Sequence, residues 1–372
     1  MTTSAVRQSV SGGPGGGLSY DDRRPAKVIR SRVSAVLLAV TLFVTGCGYG
    51  TVQRTQRDLH GLTMGTTWSV KVIGARGQDV GTLRHRVQET LDQLEARMST
   101  YREDSELSIL NRSDETGWIP LTRELHEVLQ SAWEISRASK GAFDATVGPL
   151  VDLWGFGPTD ADRSPPSEQD IVAARKGVGF SRLRLRGDPP SVRKDIQALS
   201  VDLSAIAKGY AVDQIAAVLE SEGFSEYLVE IGGELRGKGG NRAGGPWKIA
   251  IEKPDPGTRE VYAIIDLNDV SVATSGGYRN FFEAHDGQTY SHTIDPFTGR
   301  PVTHDLASVT VVGPSAMRAD ANATALMVLG PDSGYAYALR EGVEAFFVIR
   351  TGDGFRDIAT PGFARYRVQP DT

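Results

Sequence analysis

Cysteine is almost missing from this 372-residue chain: the single one, Cys47, rules out an internal disulfide framework and a cysteine-rich metal site. Histidine is scarce too. The six, at positions 60, 85, 126, 285, 292 and 304, include no i, i+4 helical pair and no cluster of the kind that zinc and other transition metals prefer. There is no G-x-S-x-G elbow, and with the one thiol near the N-terminus a covalent acyl-enzyme has no obvious nucleophile. Long apolar runs are lacking as well, the one uncharged run, Val33–Val44, being too short to span a bilayer comfortably. No repeat or heptad run is present. Positive charge is in deficit: the net charge is −5, and because residues 1–32 hold six Arg or Lys against two Asp, the rest of the chain carries −9. An acidic body argues against nucleic acid as a main partner.

The composition, 40% hydrophobic and 23% charged, suits a sizeable core in one large domain or two intimate ones. The first 46 residues stand apart. A basic stretch, R23-R-P-A-K-V-I-R-S-R32, precedes the apolar run, which is the pattern of a secretory signal. The run ends V44-T-G-C47, which resembles a bacterial lipobox, with Cys47 lipidated and left as the new N-terminus. An ordinary cleaved signal that happens to include a cysteine is the alternative. On the lipobox reading residues 1–46 are a signal, 47–57 a tether, 58–352 the functional domain and 353–372 a C-terminal tail. The chain then works outside the cytoplasm, lipid-anchored to the cell membrane.

Periodicity supplies the elements. T66-T-W-S-V-K-V-I73 alternates as a half-buried strand, and apolar residues at 80, 83, 87, 91, 94 and 98 predict a helix over Val80–Met98. Thr122 caps a second helix that runs through Leu125, Val128, Leu129 and Ile135 to Gly141. Ser167 with Asp170 three residues on opens a third. The second half is strand-rich, with strands expected over 198–203, 227–231, 247–252, 261–267, 270–274, 307–312 and 345–350. Helices are expected near 205–222 and 315–329, closed by Gly223 and Gly330. Consecutive strands joined by short turns favour antiparallel pairing, so the class is α+β.

Several polar residues sit where packing wants none. The glycine-rich E230-I-G-G-E-L-R-G-K-G-G240 lacks both the G-K-[ST] ending of a P-loop and the G-x-G-x-x-G opening of a dinucleotide fold, and reads as a tight turn. Asp144 interrupts an apolar segment in G141-A-F-D-A-T-V-G-P-L150, and Asp202 does the same in V201-D-L-S-A-I-A-K-G209, six residues before Lys208. A buried acid is costly unless it is paired, ligating or hydrogen-bonded. In A319-D-A-N-A-T324 the four-residue spacing sets Asp320 and Thr324 on one helix face, a carboxylate and a hydroxyl together, as a hard cation such as magnesium prefers. Each acid alone also reads as a cap, and Thr324 as a back-bonded helix residue. The three acids together tilt the balance toward magnesium and phosphate. S291-H-T-I-D-P-F-T-G299 adds His292 beside a turn, where an imidazole is placed either to move a proton or to bond the backbone.

Taken in order, M64-G-T-T, M98-S-T-Y-R-E-D-S-E-L-S-I-L-N111, A142-F-D-A-T-V-G-P-L-V-D-L-W-G-F156, V201-D-L-S-A-I-A-K-G-Y, V229-E-I-G-G-E, T274-S-G-G-Y, S291-H-T-I-D-P-F-T-G and A319-D-A-N-A-T-A look like the ApbE family, the FAD:protein FMN transferases. The resemblance covers about residues 58–352. It implies an α+β fold related to the T-fold, with FAD in a cleft between two lobes. It also implies that Met64, Tyr101, Ala142, Phe143, Asp144, Asp202, Lys208 and Ile294 hold FAD. The Ala205 carbonyl, Asp320 and Thr324 are then the magnesium ligands. Ala323 replaces a second Asp that some members carry. The implied reaction is attack by a Ser or Thr hydroxyl of an acceptor protein on the FMN phosphorus of FAD, with AMP leaving and His292 assisting deprotonation. The implied acceptor is an FMN-binding domain of a membrane electron-transfer system. Two other readings stay open: an FAD pyrophosphatase that gives FMN and AMP, and a flavin-binding lipoprotein without turnover.

Overall fold

Residues 345–349, Ala-Phe-Phe-Val-Ile, are apolar without a break, and every one is buried. Side chains alternate across a strand, so such a run requires cover on both faces of its sheet. The computed structural model shows that cover. It describes residues 54–368 apart from 75–79, 159–163, 256, 258, 278–280 and 285–286, so Cys47 and the signal lie outside the described residues.

Eight strands form one sheet in the order β1 (Gln56–Thr63), β2 (Thr66–Ile73), β6 (Tyr227–Ile231), β7 (Glu234–Lys238), β10 (Val270–Gly276), β15 (Leu306–Gly313), β16 (Glu344–Thr351) and β17 (Gly354–Ala359). Every neighbouring pair is antiparallel. One face packs against helices α1 (Val80–Met98), α6 (Ala207–Ser221) and α7 (Ala316–Glu341). Tyr227, Val229, Ile231, Ala345, Phe347 and Ile349 point into that helical core. Their sequence neighbours Leu228, Phe346 and Val348 point the other way, into a second core beneath the hairpin β8 (Trp247–Glu252) and β9 (Val261–Leu267).

Shorter elements fill in around this frame. They are the helices α2 (Glu106–Arg112), α3 (Arg123–Ala138), α4 (Gly148–Leu153) and α5 (Glu168–Arg175). A three-stranded sheet joins β3 (Ile119–Pro120), β5 (Pro190–Lys194) and β4 (Leu183–Gly187) in that order. Two small ribbons pair β11 (Phe281–Glu283) with β12 (Thr289–Ser291) and β13 (Ile294–Asp295) with β14 (Arg300–Pro301). The expected caps form: Thr122 Oγ1 accepts from the Leu125 N–H, and Ser167 Oγ accepts from the Asp170 N–H at 3.2 Å.

Three expectations are corrected. Residues 198–203 make no strand, because the Asn111 side-chain amide takes the place of a ladder partner: its Nδ2 donates to the Val201 carbonyl and its Oδ1 accepts from the Val201 N–H, each at 2.8 Å. Gln56 and Arg57 belong to β1 and not to a tether, since the β1–β2 ladder extends to Gln56 opposite Ile73. The expected tail supplies β17 and a closing turn at Pro361–Tyr366, whose Phe363 is 1% exposed and stacks on Phe346. Gly330, by contrast, closes the helix begun at Ala316 as expected, although a second helical stretch follows it within α7. Its φ of 74° and ψ of −176° leave the helix, and Pro331, which lacks an N–H, opens a second helical stretch to Glu341.

Candidate active site

Turns at the sheet's edge set the outer wall of one large cleft. Met64 and Gly65 join β1 to β2 with φ of 49° and 70°, a left-handed pair that a methionine adopts at some cost. Glu95 from α1 holds the turn, accepting from the Met64 N–H and, at 2.9 Å, from the Thr63 hydroxyl. After α3 the chain reverses through Lys140 and Gly141, also at positive φ, and presents Ala142, Phe143 and Asp144. Both oxygens of Asp144 are committed within the protein. Oδ1 accepts from the Thr146 N–H (2.8 Å) and hydroxyl (2.6 Å), and Oδ2 from the Phe180 N–H (2.9 Å). Burial pushes its pKa above the usual carboxylate range while these bonds pull it back. Asp144 therefore builds the wall that carries Ala142 and Phe143.

The floor comes from three elements. Asp202 receives the Ser204 N–H on Oδ1 at 2.7 Å, and its own N–H donates to the Ala145 carbonyl. The pKa of nearby Asp152 is raised by burial first and by the charge of Asp202 second. Lys208, in the first turn of α6, donates to the Ser204 carbonyl at 3.3 Å. Its Nζ lies 3.3 Å from Glu234 Oε1 on β7 and 3.8 Å from Asp320 Oδ2 on α7. Asp320 Oδ2 also accepts from the Gly209 N–H at 3.1 Å. That approach needs glycine at 209, where a Cβ would press into the Ala316 carbonyl and lie 2.8 Å from Met317 Cα.

The electrostatics of this trio follow from burial. Burial alone would lower the Lys208 pKa, but Asp320 and Glu234 outweigh it and keep the ammonium charged. Asp320 is pushed up by burial, with Lys208 opposing, and Glu234 is pushed up to about 8 for the same reasons.

Across the cleft, His292 follows β12 with its ring edge-on to Phe156 at 6.3 Å, and Ile294 is buried on β13. Tyr101 stands at the rim, 68% exposed. Met64, Tyr101, Ala142, Phe143, Asp144, Asp202, Ala205, Lys208, His292, Ile294, Asp320 and Thr324 all line this cavity of about 1570 Å³, which exceeds the usual small-molecule pocket. Every described residue singled out in the sequence thus meets at one place. Glu234, Glu95 and Asn111 were not singled out. Glu234 carried the clearest signal, an acid directly after Gly232–Gly233 that opens the strand Glu-Leu-Arg-Gly-Lys yet is buried.

Among the described residues no three His, Cys, Asp or Glu side chains cluster as a metal centre. A cation here would rest on one carboxylate, a hydroxyl and a carbonyl. Asp320, Thr324 and Ala205 line the cavity and offer donors of those three kinds, which fit a hard cation. A buried carboxylate with a raised pKa fits it too, because a cation stabilises the charged form that burial disfavours.

Fold and cavity together define an α+β protein with a large cleft beside its main sheet, its floor carrying an ammonium between two buried carboxylates. The ApbE family model matches residues 64–347, and the chain belongs to the ApbE family. It is 44% identical over 329 residues to the FAD:protein FMN transferase of Vibrio cholerae serotype O1, covering 88% of this chain and 97% of that relative. The structure of the flavin transferase ApbE from Vibrio cholerae is similar with a TM-score of 0.79 and 42% identity, over 84% of this chain and 99% of that one. The apo flavinyl transferase ApbE of Pseudomonas stutzeri is similar with a TM-score of 0.76 and 43% identity, over 84% and 96%.

Proposed function

We propose that this protein transfers FMN from FAD to a Ser or Thr hydroxyl of an acceptor flavoprotein, forming a phosphoester bond and releasing AMP. The observation that carries the reading is Lys208 held between Asp320 and Glu234 at the floor of a cavity large enough for a dinucleotide. Relatives named FAD:protein FMN transferase support it.

FAD lies in the cleft with its diphosphate near Lys208, and Met64, Tyr101, Phe143 and Ile294 give its rings apolar and aromatic surface. The acceptor oxygen attacks the FMN phosphorus, the bond to the AMP phosphate breaks, and the acceptor proton passes to His292. Asp320, Thr324 and the Ala205 carbonyl would hold magnesium, which would supply neutralising charge for the phosphoryl group. The acceptor is an extracytoplasmic FMN-binding domain of a membrane electron-transfer system, and a lipid on Cys47 holds this chain beside it.

The test is incubation with FAD, magnesium and an FMN-binding acceptor domain, followed by intact mass of the acceptor and quantitation of AMP and free FMN. A gain of one FMN phosphoryl unit is expected, lost in Asp320→Ala and strongly reduced in His292→Ala although that variant still binds FAD. Free FMN and AMP without an adduct would replace the transferase with a pyrophosphatase, and intact bound FAD would leave a carrier. Fatty-acid labelling in cells, abolished by Cys47→Ser, tests the anchor.

A further inference from the structure

One carboxylate in the cleft has no part in the reaction as drawn. Glu234 opens β7 immediately after the Gly232–Gly233 turn and is 4% exposed. Its Oε1 faces Lys208 Nζ at 3.3 Å, whereas its Oε2 is fully buried and has no hydrogen-bond partner among the described residues. A buried carboxylate oxygen without a donor is costly and calls for an explanation. The residue lines the cavity, so a donor can reach it from the ligand side.

The geometry around Lys208 gives the other half of the argument. An ammonium has three N–H donors. One is directed at the Ser204 carbonyl and one at Glu234, while Asp320 Oδ2 stands beyond hydrogen-bond range at 3.8 Å. Without Glu234 the flexible lysine would close onto Asp320 and neutralise it. With Glu234 present, Lys208 is drawn aside, one N–H remains for a ligand, and Asp320 keeps its charge available to a cation.

We infer that Glu234 is a positioning and substrate-contact residue: Oε1 holds Lys208 with its remaining N–H toward the diphosphate of FAD, and Oε2 accepts a hydrogen bond from a sugar hydroxyl adjoining that diphosphate. A hydroxyl is the matching donor, since the phosphate oxygens themselves would be repelled. The inference rests on the proposed reading that FAD fills the cleft.

Binding of FAD with magnesium, followed by flavin fluorescence and by calorimetry, tests it on the wild type, Glu234→Ala and Glu234→Gln, with a melting curve for each. Glu234→Ala is expected to weaken FAD about tenfold or more, the usual scale for a lost hydrogen bond to a charged group. Glu234→Gln retains an acceptor for Lys208 and a polar partner for the hydroxyl, and is expected to restore affinity to within about threefold. Inorganic pyrophosphate, which lacks hydroxyls, should lose less affinity than FAD in the Ala variant. FAD affinity within about twofold of wild type in Glu234→Ala would overturn the inference, as would equal losses in both variants that track lowered melting temperatures. Pyrophosphate losing as much as FAD would overturn the hydroxyl contact. A wild type that binds no FAD would instead overturn the functional reading.

Discussion

At the scale of single residues, Glu234 ties the site to stability. Burial raises its pKa from an ordinary 4.5 to about 8 against the pull of Lys208, so with the cleft empty the folded protein holds a proton that the unfolded chain has released, and a hydroxyl donated to Oε2 by a bound ligand favours its loss. Its contribution is complete below about pH 4.5 and is lost as pH rises through about 8. The charged groups facing it, Lys208 from α6 and Asp320 from α7, remain in Glu234→Gln, so the difference between the two proteins reports what Glu234 adds to the titration of this trio. Urea unfolding at pH 6, 7 and 8 should show wild-type stability falling by up to about 1.4 kcal/mol per pH unit, and a visibly flatter profile in the variant. Parallel profiles would assign the proton elsewhere. Asp144, Asp202, Lys208 and Asp320 were legible in the sequence because a charge in an apolar run is conspicuous. Which partner each would meet was not, because those contacts come from elements far apart along the chain. Both oxygens of Asp144 are taken by Thr146 and Phe180, an arrangement that spacing alone cannot disclose.

Among elements, the crossing of α6 and α7 decides whether the site exists. Gly209 lets the first turn of α6 press against the Ala316 backbone and bond Asp320, which fixes Lys208 and Asp320 relative to each other. Gly209→Ala should cost about 3 kcal/mol, the upper end for overpacking, since the blocking atoms are backbone and cannot rotate away. FAD affinity should fall further than in Leu219→Ala, a core truncation near the other end of the same helix that leaves the crossing intact. Calorimetric melting with FAD titration checks both, and equal affinity in the two variants would detach the crossing from the site. Helix α1 and strands β6, β8 and β9 could be read directly, because their periods of 3.6 and 2 are complete within each segment. The helix end at Gly330 was legible too, as a glycine followed by proline; that a second helical stretch starts at Pro331 and runs to Glu341 was not.

For the whole molecule, the second core shows that the last strand is structural. Phe346, Phe363 and the β8–β9 hairpin cover the sheet face opposite the helices, and β17 pairs along β16. A chain ended at residue 352 would expose Phe346 and leave a long apolar strand at the sheet edge, where aggregation starts. It should be insoluble or melt more than about 10 °C lower, as soluble expression and a melting curve will show. The strand-rich second half and the α+β class were visible as short apolar runs between turns. The C-terminal residues were not, because β17 reads Gly-Phe-Arg-Asp-Ile-Ala and its strand character depends on the neighbour it pairs with. The trio at the floor of the cleft has a further effect on how the protein is made. Lys208 and Asp320 belong to different helices and Glu234 to a strand, so no fragment contains the site and a partly folded chain has nothing with which to hold FAD. A ligand that recognises only the finished fold adds to the stability of the native state in proportion to the logarithm of its concentration where the chain folds.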